Sequence, residues 1–220
     1  MYGRAYLFFE RSVKTEMKLI IVGASGHGKV VADVAGKNGY DDIKFLDDFK
    51  FNNPDFKQFC EQWPIVGNVE ALANFNDDLF IAIGNSKARK NLIERYSNKH
   101  IVTLIHPDAT IASNVKIGIG TVIMAGAIIN PATRIGNGCI INTSSSVDHD
   151  CIIGDYSHVA VGAHLADTVS IGQSTWIGAG ATVSNNVKIF DNCMIGAGAV
   201  VVKDITEAGT YIGVPAKKIK

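Results

Sequence analysis

The sequence predicts two units in series: a small α/β domain with a Rossmann-like parallel sheet, then an all-β parallel β-helix. Three observations carry that prediction. Sixteen consecutive hexads fill residues 111–206, each opening with Ile, Leu or Val, from Ile111, Ile117 and Ile123 to Ile195 and Val201. The fifth hexad position is always small or β-branched, as at Val115, Ala127, Cys139, Ala163 and Ala199. Upstream of the repeats, short apolar runs alternate with helical segments, the pattern of parallel strands joined by crossover helices. A period of six fits neither an α-helix nor an alternating strand, but it fits short strands that point one aliphatic inward and then turn a corner.

Taken in order, residues 1–16 hold a short apolar run between charges, too short and too charged for a signal peptide. A leader and a linker from something larger both fit, so residues 1–16 are set apart. Residues 17–105 form the expected α/β domain. A strand over 18–22 leads into the glycine-rich turn Gly23-Ala24-Ser25-Gly26-His27-Gly28, and a helix follows over 29–38. A second strand over 43–46 ends in Asp47-Asp48, and 49–63 read as loop because Asn52-Asn53-Pro54 breaks regular structure. A short strand at 65–66, a helix over 69–75 capped by Asn68, a strand over 79–83, a helix capped by Ser86 and a last strand over 101–105 complete the domain. His106-Pro107 marks the join to the β-helix domain, residues 106–220, whose tail leaves the hexad register and caps the open end. Three hexads make one coil, so residues 18 apart stack at the usual strand spacing of about 4.8 Å. A flat exposed face on such a prism is a natural place for subunits to associate.

Composition narrows the partners. Lys plus Arg and Asp plus Glu are 21 each in 220 residues, so no global field favours nucleic acid or an anionic membrane. No run approaches the 18 or so apolar residues of a membrane span. Cys139, Cys151 and Cys193 occupy the fifth hexad position and read as small buried apolar groups rather than metal ligands, while Cys60 stands in a loop-like region. That usage fits a reducing cytoplasm, and no metal site is expected.

Candidate chemistry falls in two places. The turn at 23–28 is G-x-x-G-x-G, not the dinucleotide fingerprint, yet it follows a strand and opens a helix. Its backbone N–H groups are therefore placed to hold a phosphate. Asp47, about 20 residues on at a strand end, suits a ribose hydroxyl. Gly84 and Asn85 open onto the same crevice, and Arg89 one turn into the next helix is within reach of a phosphate. The alternative is a tight turn that only packs helix on strand. On the repeats, His149 stands at a corner between Asp148 and Asp150, with Asp167 one coil above; His158 and Trp176 stack in the same way. An imidazole beside a carboxylate is a candidate general base, and the alternative is a solvated corner histidine. Asp167 can contribute through its backbone N–H, since a carboxylate cannot stabilise a developing oxyanion.

Taken together, the hexads, the preceding α/β domain and the segments Gly23-Ala24-Ser25-Gly26-His27-Gly28, Phe45-Leu46-Asp47-Asp48-Phe49-Lys50, Phe80-Ile81-Ala82-Ile83-Gly84-Asn85, Asn142-Thr143-Ser144-Ser145 and Gly213-Val214-Pro215-Ala216-Lys217 resemble the left-handed β-helix acyltransferases of the hexapeptide-repeat family. Within it, the likeness over residues 17–220 is to the bacterial sugar acetyltransferases that include sialic-acid O-acetyltransferases. It is greatest to the UDP-4-amino-sugar N-acetyltransferases of bacillosamine synthesis, which serve protein glycosylation. The resemblance implies a homotrimer and direct transfer of acetyl from acetyl-CoA to the 4-amino group of a UDP-linked dideoxy sugar. It implies His149 as base, oriented by Asp150 where the family pattern carries Glu, one methylene longer. It implies His158 at the thioester and the N–H of Asp167 as oxyanion donor. The pantetheine arm would pass Gly178 and Gly196 toward Pro215 and Lys217. The nucleotide-sugar would lie across Ser25, Gly26, His27, Asp47 and Asp48. O-acetylation of a sugar such as sialic acid is the alternative enzyme, and a non-catalytic nucleotide-sensing scaffold is the alternative class.

Overall fold

A computed structural model describes residues 16–53 and 55–220, so the segment expected as leader or linker lies almost wholly outside the described residues. Strands β1 (Lys18–Val22), β2 (Asp42–Leu46), β3 (Phe59–Cys60), β4 (Trp63–Gly67) and β5 (Asp78–Ile81) form one sheet in the order β3-β4-β2-β1-β5. All pairings are parallel except β3 with β4. The runs are apolar on both faces because both faces are covered. Leu19 and Ile21 pack with helix α1 (Gly26–Lys37), whereas Ile20 and Val22 pack with Ile93 of helix α3 (Ser86–Arg95) and with Leu72.

Four details differ from the sequence reading. Residues 49–63 are not all loop: helix α2 (Asp48–Phe51) and the β3–β4 hairpin occupy them, and Cys60 is buried on β3 rather than in a loop. Asn68 does cap its helix, accepting from the N–H of Ala71, but Val69–Asn74 is a 3₁₀ helix. Asn85, not Ser86, caps α3, its Oδ1 accepting from the N–H of Ala88 at 2.9 Å. Residues 101–105 do not complete the first sheet. Ile101 makes a single bridge to Leu79, while Leu104–Ile105 pairs with Val122–Ile123 as the first strand of the prism.

Above that strand the repeats form three parallel sheets of two-residue strands. Each strand pairs with the one 18 residues away, as in Ile111, Ile129, Val147, Leu165, Val183 and Val201. The leading aliphatics fill one continuous core with the fifth-position Ala127, Cys139, Cys151 and Ala163. Buried hydroxyls at the same position bridge coils. Thr121 Oγ1 donates to the carbonyl of Gly136 and accepts from the N–H of Cys139, so its burial leaves nothing unsatisfied. The corner is made at the fourth position, which has φ between 54° and 67° at every hexad from Gly120 to Gly198, Asp150 and Thr168 included. Glycine at the second position serves a different end. A Cβ on Gly136 would lie 2.3 Å from Asp155 Oδ1 and 2.7 Å from its amide nitrogen, so the next coil forbids a side chain there.

The two units share their cores. Val122, Met124 and Ile140 of the prism join Val31, Val34 and Ala35 of α1, and Tyr156 joins Ile93 and Leu79. The tail adds Gly209–Ile212 and Lys217–Lys218 to the sheet that carries Trp176, closing the prism's far end. Among the described residues no helix is long and apolar enough to cross a membrane.

Candidate active site

Around the glycine-rich turn, close packing explains Gly23 and Gly28, whereas a Cβ on Gly26 would meet nothing within 4 Å. A Cβ on Gly28 would come 2.1 Å from the carbonyl oxygen of Gly23. Asp47 fixes the turn from the next strand: one carboxylate oxygen accepts from the N–H of Ala24 at 2.8 Å and the other from the N–H of Lys50 at 2.9 Å. Asp48 accepts from the N–H of Val69 at 2.7 Å. Both acids thus hold backbone in place, and Asp47 has a backbone N–H on each carboxylate oxygen. Ser25, at the N-cap of α1, spends no side-chain hydrogen bond on capping and is exposed, as is Gly26. The first amides of α1 therefore face outward with the helix dipole behind them.

Arg89 is a correction. It is buried, and its guanidinium donates to the carbonyls of Ile83 (2.7 Å), Gly84 (2.9 Å), Gly138 (2.7 Å) and Tyr156 (2.6 Å). It clamps the strand end and α3 to two coils of the prism, and its donors are committed there rather than to a phosphate.

His158 sits where the two units meet. Asn142 Oδ1 accepts from the N–H of Thr143 at 2.8 Å, which turns Asn142 Nδ2 toward His158 Nε2, 3.1 Å away. An amide nitrogen only donates, so Nε2 is the acceptor and the ring proton resides on Nδ1. That Nδ1–H is buried with no partner among the described residues. Burial pushes the pKa of His158 down to about 3, with His27 and Arg89 adding to the effect, so the ring is a neutral hydrogen-bond donor at ordinary pH. His27 behaves alike: burial and then Arg89 lower it to about 4, and its Nε2 is buried without a partner among the described residues. Both imidazoles line a cavity of about 450 Å³ together with Gly26, Gly84, Asn142 and Trp176. Trp176 stacks on His158, ring centroids 5.0 Å apart and planes 25° apart, as the 18-residue rule requires.

His149 occupies a different corner. Its Nδ1 lies 2.8 Å from Asp150 Oδ2, and a carboxylate only accepts, so Nδ1 carries the proton and Nε2 presents a lone pair outward. The hydrogen bond to Asp150 raises the pKa of His149, helped by the charges of Asp148, Asp150 and Asp167. Asp148 Oδ1 accepts from Asn130 Nδ2 at 2.7 Å and from the N–H of His149 at 2.8 Å, holding the His149 backbone in register. Asp167 lies one coil on, where the N–H of Thr168 donates to the carbonyl of His149 at 3.0 Å. Nothing among the described residues accepts from the N–H of Asp167. His149 follows the strand Ser146–Val147 and His158 belongs to the strand His158–Val159, on separate faces of one prism. One chain does not bring them together.

Gly178 and Gly196 line an apolar groove with Trp176, Ala179 and Met194. Pro215 and Lys217 line a separate hollow with Val201 and Tyr211 near the cap. Sequence reasoning placed neither Asn142 nor Asn130 in a role, and it used Trp176 only as a stacking check. Each carried a signal, since each stands 16 or 18 residues from a histidine or acid that it meets.

Comparison with known proteins bears on the fold and the family. Residues 18–96 match the family described as PglD N-terminal domain, and residues 168–203 match the bacterial transferase hexapeptide family (six repeats). The acetyltransferase domain of PglB from Neisseria gonorrhoeae FA1090 is 36% identical, with TM-score 0.87, over 93% of this chain and 100% of that one. The chain belongs to the hexapeptide-repeat sugar acetyltransferases. Its prism is accordingly the left-handed β-helix of that family. PerB from Caulobacter crescentus, solved with CoA and GDP-perosamine, is 34% identical with TM-score 0.83 over 92% of this chain and 97% of that one. A UDP-N-acetylbacillosamine N-acetyltransferase of Bacillus subtilis (strain 168) is 38% identical over 108 residues, 48% of this chain, and the match spans only 50% of that relative's length.

Proposed function

We propose that the protein transfers acetyl from acetyl-CoA to the 4-amino group of a nucleotide-linked dideoxy sugar, with UDP as the nucleotide. The observation that carries this reading is the division of labour between two imidazoles. His158 is a neutral ring in the wall of a cavity beside the glycine-rich turn, and His149 is an acid-supported base on another face. The relatives support the substrate class, since they include an N-acetyltransferase acting on a UDP sugar and a structure holding CoA with GDP-perosamine.

In the ternary complex the sugar amine attacks the thioester carbonyl directly. An N–C bond forms, the C–S bond breaks, the amine proton passes to His149 Nε2 and then to the departing thiolate. The carbonyl oxygen takes hydrogen bonds from His158 Nδ1–H and the N–H of Asp167 as negative charge develops. Holding both reactants together supplies the entropy, so no acyl-enzyme is required. Ser25, Gly26 and His27 receive the phosphates, with Asp47, Asp48, Gly84 and Asn85 forming the crevice walls, and the pantetheine arm follows the groove past Gly178 and Gly196. Because His149 and His158 stand on separate faces, the site needs two chains, which a homotrimer supplies three times over.

The test is thiol release from acetyl-CoA over a panel of UDP- and GDP-linked 4-amino sugars, with sialic acid as the hydroxyl acceptor. Turnover confined to an amino sugar supports the proposal. Turnover confined to sialic acid replaces it with O-acetylation.

A further inference from the structure

Three hollows meet on the face of the prism that carries His158, and Trp176 is the side chain they share. One is the cavity with His27, Asn142 and His158; the second adjoins it beside Tyr156 and Thr175; the third is the apolar groove past Gly178 and Gly196. The second carries the polar lining a sugar needs, with Asn85, Ser86 and Thr175, and the third suits a thioester arm. Their meeting point is therefore where an acyl group changes hands.

The indole is fixed there from below. It stacks on the His158 ring at 5.0 Å, and His158 is itself held by Asn142. Met194 lies one coil above, so the column His158, Trp176, Met194 has no slack in its register. An acyl group that passes between the apolar groove and the cavity with His158 goes by this indole, which borders both. We infer that Trp176 sets the acyl length the site accepts, admitting acetyl and excluding longer acyl-CoA thioesters. The inference rests on the acyl-transfer reading above and adds the specificity of its donor.

The test compares acetyl-, propionyl- and butyryl-CoA in thiol release by the full chain, as wild type, Trp176→Ala and Trp176→Phe, with one amino-sugar acceptor. One methylene in a closed apolar pocket changes kcat/KM by about 10- to 200-fold. The wild type should therefore discriminate steeply against butyryl-CoA. Trp176→Ala should raise the butyryl-to-acetyl ratio of kcat/KM by on the order of 100-fold, with Trp176→Phe between the two. A ratio that stays constant while all donors slow equally would overturn the inference, because the indole would then only support His158. Calorimetric binding without sugar gives the second readout: wild type should prefer acetyl-CoA to butyryl-CoA, and Trp176→Phe should narrow that preference. Equal affinities in wild type overturn the length gauge alone. A wild type that binds neither thioester removes the acyl-transfer reading as well.

Discussion

Arg89→Met separates a structural clamp from a phosphate ligand. The wild-type guanidinium is buried and gives four hydrogen bonds, to carbonyls of Ile83, Gly84, Gly138 and Tyr156, at 2.6–2.9 Å. Burial costs the cation something, since it lowers the Arg89 pKa to about 10, and those carbonyls are what offset the cost. Methionine keeps the apolar stem, ending near the level of Nε, but leaves the four acceptors facing nothing. Stranding a buried carbonyl costs about 1–3 kcal/mol. The losses share one site and do not add, so the total is on the order of 3–5 kcal/mol, as for breaking other buried charged contacts. For a chain of this size, about 2–4 °C per kcal/mol turns that into a fall in Tm of roughly 6–20 °C. Differential scanning fluorimetry reads the fall, and titration with the UDP-sugar at a temperature where the variant is folded should show little loss of affinity. An unchanged Tm with lost nucleotide-sugar affinity would refute the assignment and return Arg89 to the phosphate site.

His149→Ala should lower kcat by on the order of 10²–10⁴ with KM for the sugar little changed, measured by thiol release. Asp150→Asn should move the acid limb of the kcat/KM profile to lower pH, because the carboxylate that raises the His149 pKa is gone; an unmoved limb would detach Asp150 from the base. Buried neutral histidines also predict how stability depends on pH. His27 and His158 titrate near 6.5 when unfolded but near about 4 and about 3 when folded, so the unfolded chain binds more protons in that window. Stability should therefore decline as pH falls from about 6.5 toward 4, at about 1.4 kcal/mol per pH unit for each histidine, and denaturant titration of His27→Gln should show the shallower slope.

Much of this architecture was legible because period six is a strong signal. The repeat even announces its true start: Ile105 lies six residues before Ile111 and Ala109 takes the fifth position, yet 101–105 also read as the next strand of an α/β sheet. Corners were harder to see. The eye is drawn to second-position glycines such as Gly136, which answer to the neighbouring coil. The left-handed corner itself falls at the fourth position and tolerates Ser144, Asp150, Tyr156 and Thr168. Arg89 misled for a plain reason: a cation one turn into a helix has the same sequence signature whether it points into a crevice or into the core. The histidines were found by their spacing, but the tautomer of His158 depends on which way Asn142 turns its amide, and only packing decides that.

The account depends most on one base and one donor meeting across two chains. His149→Ala and His158→Ala, each inactive alone, should be unfolded together, refolded as a one-to-one mixture and assayed for thiol release. Random assembly of the proposed cyclic trimer would rebuild an intact pairing at about a quarter of the sites, so activity should return to about a quarter of wild type. A mixture as inactive as its parents would place both imidazoles in a single-chain site and contradict the account.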